Sequence, residues 1–129
     1  MPPIDHLQRV SEYHLDALLR QGVFTTGLLL EVSETPTRRQ YLADQIAATT
    51  NDVNAWRDEA LLLNLASFGD AEQALFTQAG IVGLSDLLGL DIDGFRERLY
   101  RAARVLDVEP PPDLMIEGWL EQAHTLREE

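Results

Sequence analysis

Two stretches of this chain repeat one another, and that constrains the fold more than any other feature. Val53, Trp56, Ala60 and Leu63 recur 63 positions later as Ile116, Trp119, Ala123 and Leu126. Upstream, Leu18-Leu19-Arg20-Gln21-Gly22-Val23 recurs 58 positions later as Phe76-Thr77-Gln78-Ala79-Gly80-Ile81. A fixed internal period means one supersecondary unit used twice. The repeats span residues 4–66 and 67–127, and the 129 residues are expected to form a single domain in which the copies share a core.

Apolar residues recur at helical spacing throughout, and no stretch alternates apolar and polar residues with β-branched enrichment. Leu15, Leu18 and Leu19 mark a first helix that Gly22 stops, and residues 26–32 form a short second one. Thr35-Pro36 has the form of an N-cap followed by proline at the first helical position. That third helix is expected to run towards Ala48, with Tyr41, Leu42 and Ile46 inward. Thr50 or Asn51 caps a fourth, carrying Trp56. In the second copy, Asp70 opens a helix ending near Gly80, and residues 85–88 form a short one. Asp91 or Asp93 caps a longer helix with Ile92, Phe95, Leu99, Ala102 and Leu106 at helical spacing. After the rigid Pro110-Pro111-Pro112 connector, Asp113 starts the last helix.

Composition removes several function classes. The chain has 22 acidic residues against 10 basic ones, a formal net charge of −12. Every basic residue is arginine, so lysine Schiff-base chemistry is excluded. Arginine without lysine reads as genomic base composition or salt adaptation; its functional counterpart is phosphate or carboxylate binding through guanidinium forks. There is no cysteine, which excludes disulfides, thiolate nucleophiles and cysteine-ligated metals. No basic segment followed by an apolar stretch opens the chain, and no apolar run approaches the ~20 residues that span a bilayer. A cytoplasmic location and no membrane association are expected. Residues 1–69 carry five arginines against nine acidic residues, and residues 70–129 carry five against thirteen. Neither half has the basic footprint of a nucleic-acid binder.

The hairpin Ser67-Phe68-Gly69, the following Ala74-Leu75-Phe76-Thr77-Gln78-Ala79-Gly80-Ile81 and the Trp-centred closing helices resemble a bacterial family of tandem helix-hairpin-helix domains, the domain of unknown function 4332 family. The likeness covers roughly residues 4–127. It implies an all-α, SAM/helix-hairpin-helix-like fold: two pseudo-repeated helix-hairpin-helix units, about eight short helices, around a shared core. In DNA-binding members of the wider superfamily the hairpin reads Gly-apolar-Gly, so that backbone amides approach a phosphate. Here Ser67-Phe68-Gly69 keeps one glycine, and its counterpart Arg9-Val10-Ser11 keeps neither. Asp70 follows the surviving glycine and would face an incoming phosphate.

Trp56 and Trp119 read as core residues closing each unit rather than as base-stacking platforms. Arginines gather on the third helix of each copy, at Arg38 and Arg39 and at Arg96, Arg98, Arg101 and Arg104, with Arg38 and Arg96 equivalent under the 58-residue offset. They read as a solvated face paired with acids such as Asp93 and Glu97. Asp91-Ile92-Asp93-Gly94 fails the calcium-loop pattern, because Phe95 and Ala102 stand where oxygen ligands belong. His6, His14 and His124 lack metal-ligand spacing, and no serine has a nucleophile signature. No enzyme, cofactor or metal is expected. The expected role is a non-catalytic module binding a protein partner or a second copy of itself. The apolar surplus at Phe24, Leu28, Leu30, Val82 and Leu90 is its candidate surface. The alternative is a nucleic-acid-associated module contacting phosphates through Ser67, Gly69, Arg96, Arg101 and Arg104, a reading disfavoured by net charge.

Overall fold

A computed structural model describes residues 2–127, and among these all regular structure is helical. Eight α-helices follow a short 3-10 turn at Ile4–His6: α1 (Glu12–Arg20), α2 (Thr26–Val32), α3 (Pro36–Gln45), α4 (Thr50–Leu63), α5 (Asp70–Gln78), α6 (Leu84–Leu88), α7 (Ile92–Leu106) and α8 (Asp113–Arg127). The chain divides between Asn64 and Leu65 into two compact units of four α-helices each.

In the first unit α4 packs against α2 and α3. In the second, α8 packs against α6 and α7, and α5 packs against α7. The buried residues obey the repeat: Leu18 and Phe76, Val23 and Ile81, Leu29 and Leu87, Val53 and Ile116, Trp56 and Trp119, and Ala60 and Ala123 are all buried. Burying a large apolar side chain contributes roughly 1.5–3 kcal/mol. The cores differ in chemistry. Phe76 meets Phe68, Phe95 and Trp119 at ring-centroid distances of 4.8, 5.6 and 5.1 Å, all edge to face. Leu18 replaces Phe76 in the first unit, and the Trp56 ring meets the His14 imidazole at 5.3 Å.

Helix ends follow local chemistry. Ser11, Thr25 and Thr35 accept the amides of His14, Leu28 and Arg38, and Asp91 accepts that of Gly94 at 2.7 Å. The α4 cap lies one residue before the expected Thr50. Thr49 accepts from the Asp52 amide while the Asp52 carboxylate accepts from the Thr49 amide, at 3.1 and 3.0 Å. Only Thr49 has an acidic residue three positions on to close this box. α1 and α5 end alike: Gly22 and Gly80 take φ of 83° and 80°. The next amides, of Val23 and Ile81, donate to the carbonyls of Leu18 and Phe76.

The third helices depart from a constant offset. α3 runs from its cap at Thr35 to a left-handed residue, Ala47, whereas α7 runs from Asp91 to left-handed Asp107. The second span is four residues longer, about one helical turn. Matched from these ends, Leu42 and Ala43 correspond to Ala102 and Ala103, sixty positions on and equally buried. Arg38 falls against Arg98 when matched from the left-handed ends and against Gly94 when matched from the caps, and its expected equivalence with Arg96 holds from neither. Tyr41, expected inward, is 67% exposed. Leu42, Ala43 and Ile46 define the buried face, and Tyr41, about 100° around the helix from Leu42, points away from it.

Gly80 holds a backbone conformation that side chains rarely adopt. Gly80→Ala is expected to lower unfolding free energy by about 1–2 kcal/mol. Urea denaturation of the two proteins, followed by circular dichroism, measures this directly.

Candidate interaction site

Each unit's closing helix reaches back to the loop before its first helix. In the first unit Glu59, 1% exposed, accepts the backbone amides of Gln8 and of Arg9, the latter at 3.0 Å. Burial lifts its carboxyl above the ordinary 4.5, outweighing the lowering by the two amide donors. The backbone amides of this first loop are engaged by the chain's own carboxylate. In the second unit Gln122, 63 positions after Glu59, accepts the Ala66 amide at 3.0 Å. The Trp119 indole N–H donates to the Ala66 carbonyl at 2.8 Å. Trp119 is 2% exposed, so its ring belongs to the core rather than to a stacking platform.

The five residues singled out for phosphate contact do not converge on one cleft. Ser67 lies in the hairpin with a left-handed φ of 59°. Gly69 is the N-cap of α5, and its amide donates to Glu72 Oε1 at 2.8 Å. Arg96 is held by two carboxylates, Asp93 at 3.0 Å and Asp113 at 3.1 Å. Arg101 pairs with Glu97 at 2.5 Å and lines a shallow hollow of about 190 Å³ with Gln78, Ala79, Arg98, Ala102 and Val105. Arg104 is exposed in the last turn of α7, where a cation complements the helix dipole. Among the described residues no cluster of three potential metal ligands forms.

Asp113 ties α7 to the start of α8. Its carboxylate accepts from Tyr100 Oη at 2.7 Å as well as from Arg96. The Tyr100 hydroxyl first, and Arg96 second, hold its carboxyl below the ordinary 3.8, and the same contact raises the Tyr100 phenol. A depressed carboxylate stabilises the fold above its unfolded pKa, and that contribution is lost as pH falls through the folded value. Asp113→Asn is thus expected to flatten the decline in melting temperature below about pH 4 while lowering it at pH 7. Calorimetry across pH 2–7 reads both effects.

Beside this tie lies a groove of about 440 Å³ lined by Ala66, Ser67, Pro112, Leu114, Met115, Gly118, Trp119 and Gln122. Its floor is mostly apolar, and Leu114 at its edge is 81% exposed. The sequence reading missed Leu114 and Met115. Of the residues it did name, Phe24 is 58% exposed, while Leu28, Leu30, Val82 and Leu90 are half-buried. The groove is shaped by Gly118, a glycine inside α8 whose added Cβ would meet nothing within 4 Å. Glycine within a helix costs roughly 0.5–1 kcal/mol relative to alanine. Gly118→Ala is therefore expected to raise unfolding free energy by about that amount in urea titration.

Comparison with curated proteins found no match, and comparison with solved structures found none. A family model does match, over residues 8–126, and it spans both helical units from the first hairpin to the last helix. The chain belongs to the family described as domain of unknown function DUF4332.

Proposed function

We propose that this chain is a non-catalytic interaction module whose second unit docks a protein partner. The observation that carries the reading is the open apolar groove on α8, edged by exposed Leu114 and floored by Gly118. Exposed apolar surface around a concavity is the usual mark of an interaction site. None of the eight lining side chains titrates in the physiological range, so the groove offers no general acid, base or charged nucleophile. The two carboxylates with shifted titration beside the hairpins and connector, Glu59 and Asp113, are engaged in holding the fold.

Supports for the protein reading over the nucleic-acid one are electrostatic and geometric. The chain is strongly acidic, the hairpin amides of Gln8, Arg9, Ala66 and Gly69 are engaged internally, and Arg96 and Arg101 are paired with carboxylates. A phosphate would have to displace these partners.

The test is fluorescence anisotropy of labelled duplex, branched and single-stranded DNA at low and physiological salt. No saturable binding is expected at either, and the low-salt arm is the stringent one because it exposes even weak phosphate contacts. Saturable binding that weakens steeply with salt, and that Arg101→Ala with Arg104→Ala reduces, would overturn the reading in favour of a nucleic-acid module.

A further inference from the structure

The repeat supplies its own example of what crosses this face. Matched through the two offsets, the groove residues Ala66, Ser67, Gly118 and Gln122 correspond to Gln8, Arg9, Ala55 and Glu59. In the first unit the face is covered by an arginine. Arg9 leaves the hairpin and lies across α4, donating from Nη1 to the Ala55 carbonyl at 3.3 Å and to Asp58 at 2.9 Å. Its side chain is only 30% exposed, so much of its stem is covered as well as its charge paired.

The second unit keeps the acceptors of that arrangement and lacks the arginine. By the 63-residue offset Glu121, one position before the groove residue Gln122, is the sequence counterpart of Asp58, and Gly118 that of Ala55. Ser67 replaces Arg9, and its short side chain leaves the face open as the groove. The flank changes in parallel: Asn51 and Asp52 of the first unit become Leu114 and Met115. The complementary occupant is therefore a guanidinium on an otherwise apolar segment. The acidic excess of the second half favours the same charge.

We infer that the α8 groove docks a partner peptide segment through an arginine flanked by apolar side chains, the guanidinium meeting Glu121 and the Gly118 carbonyl as Arg9 meets Asp58 and the Ala55 carbonyl. This rests on the reading of the groove as a docking site and adds the chemistry of the occupant. Arginine suits the task because its fork serves a carboxylate and a carbonyl together while its stem covers apolar surface.

The experiment titrates the full, isotope-labelled chain with a decapeptide carrying one arginine between leucines, and with the same peptide carrying citrulline. Amide shifts at Ala66, Ser67 and Gly118 report the groove. The arginine peptide is expected to shift them saturably, and the citrulline peptide to bind about fivefold more weakly. Glu121→Gln should weaken the arginine peptide by about two- to fivefold and leave the citrulline peptide unchanged. Gly118→Leu should fill the groove and weaken both by at least about tenfold, with a melting temperature no lower than the parent's as the control for folding. Equal binding of the two peptides in the groove would overturn the arginine inference while leaving the docking reading standing. No groove shifts up to about 1 mM peptide would overturn the inference, that concentration corresponding to only about 4 kcal/mol of binding. Sedimentation showing a dimer that Gly118→Leu abolishes would also overturn it, assigning the groove to a second copy.

Discussion

Each unit is closed by a side chain of its last helix reaching back to backbone of the loop before its first helix. Glu59 takes two amides of the first hairpin, and Gln122 takes one of the second, where the Trp119 indole also holds the Ala66 carbonyl. Each such hydrogen bond contributes about 0.5–1.5 kcal/mol net and holds the loop against the closing helix. This contact sets the hairpin against the closing helix, and the edge of the α8 groove is a consequence of it. The carboxylate in the first unit is costly to bury; two amide donors offset part of that cost, and the neutral amide of Gln122 avoids it.

The two copies illustrate how one frame carries different surfaces. Core positions stay apolar and keep their burial, from Leu18 and Phe76 to Ala60 and Ala123. Surface positions beside the hairpin exchange an arginine for a serine and two polar residues for Leu114 and Met115. Core positions are bound by packing density, so only volume-compatible changes persist there. Surface positions carry no such limit, and divergence there turns a covered face into an open groove. The extra turn of α7 adds a second difference. It shifts the arginines of that helix relative to those of α3, and Arg96 becomes part of the tie to Asp113.

Much of the fold was legible in the residues. The N-caps at Thr35 and Asp91, the stops at Gly22 and Gly80 and the paired tryptophans all depend on chemistry within a few positions of the chain. Spacing alone does not settle a choice between adjacent residues that needs a partner three positions away, as at Thr49, or a neighbouring helix, as for Tyr41. The candidate site was less legible. Ser67 stands out in the sequence by its hairpin, yet its neighbours in the groove come from α8 about fifty residues later. Spacing points to an apolar surplus at Phe24 and Val82, because the helical period marks a buried face without saying which neighbour covers it.

By itself the sequence determined the all-α class, the twofold repeat, most of the helix ends and the function classes that an arginine-only, cysteine-free, acidic chain excludes. These follow from local hydrogen bonding, periodicity and charge, which act over a few residues or over the whole composition. Only the tertiary structure decided that Glu59 and Gln122 hold the hairpins, that Arg96 is bound to Asp113, and that Gly118 lies at an open face. Those facts join residues 17 to 56 positions apart or depend on what is absent above a helix. Neither is encoded in spacing; both emerge when the helices pack.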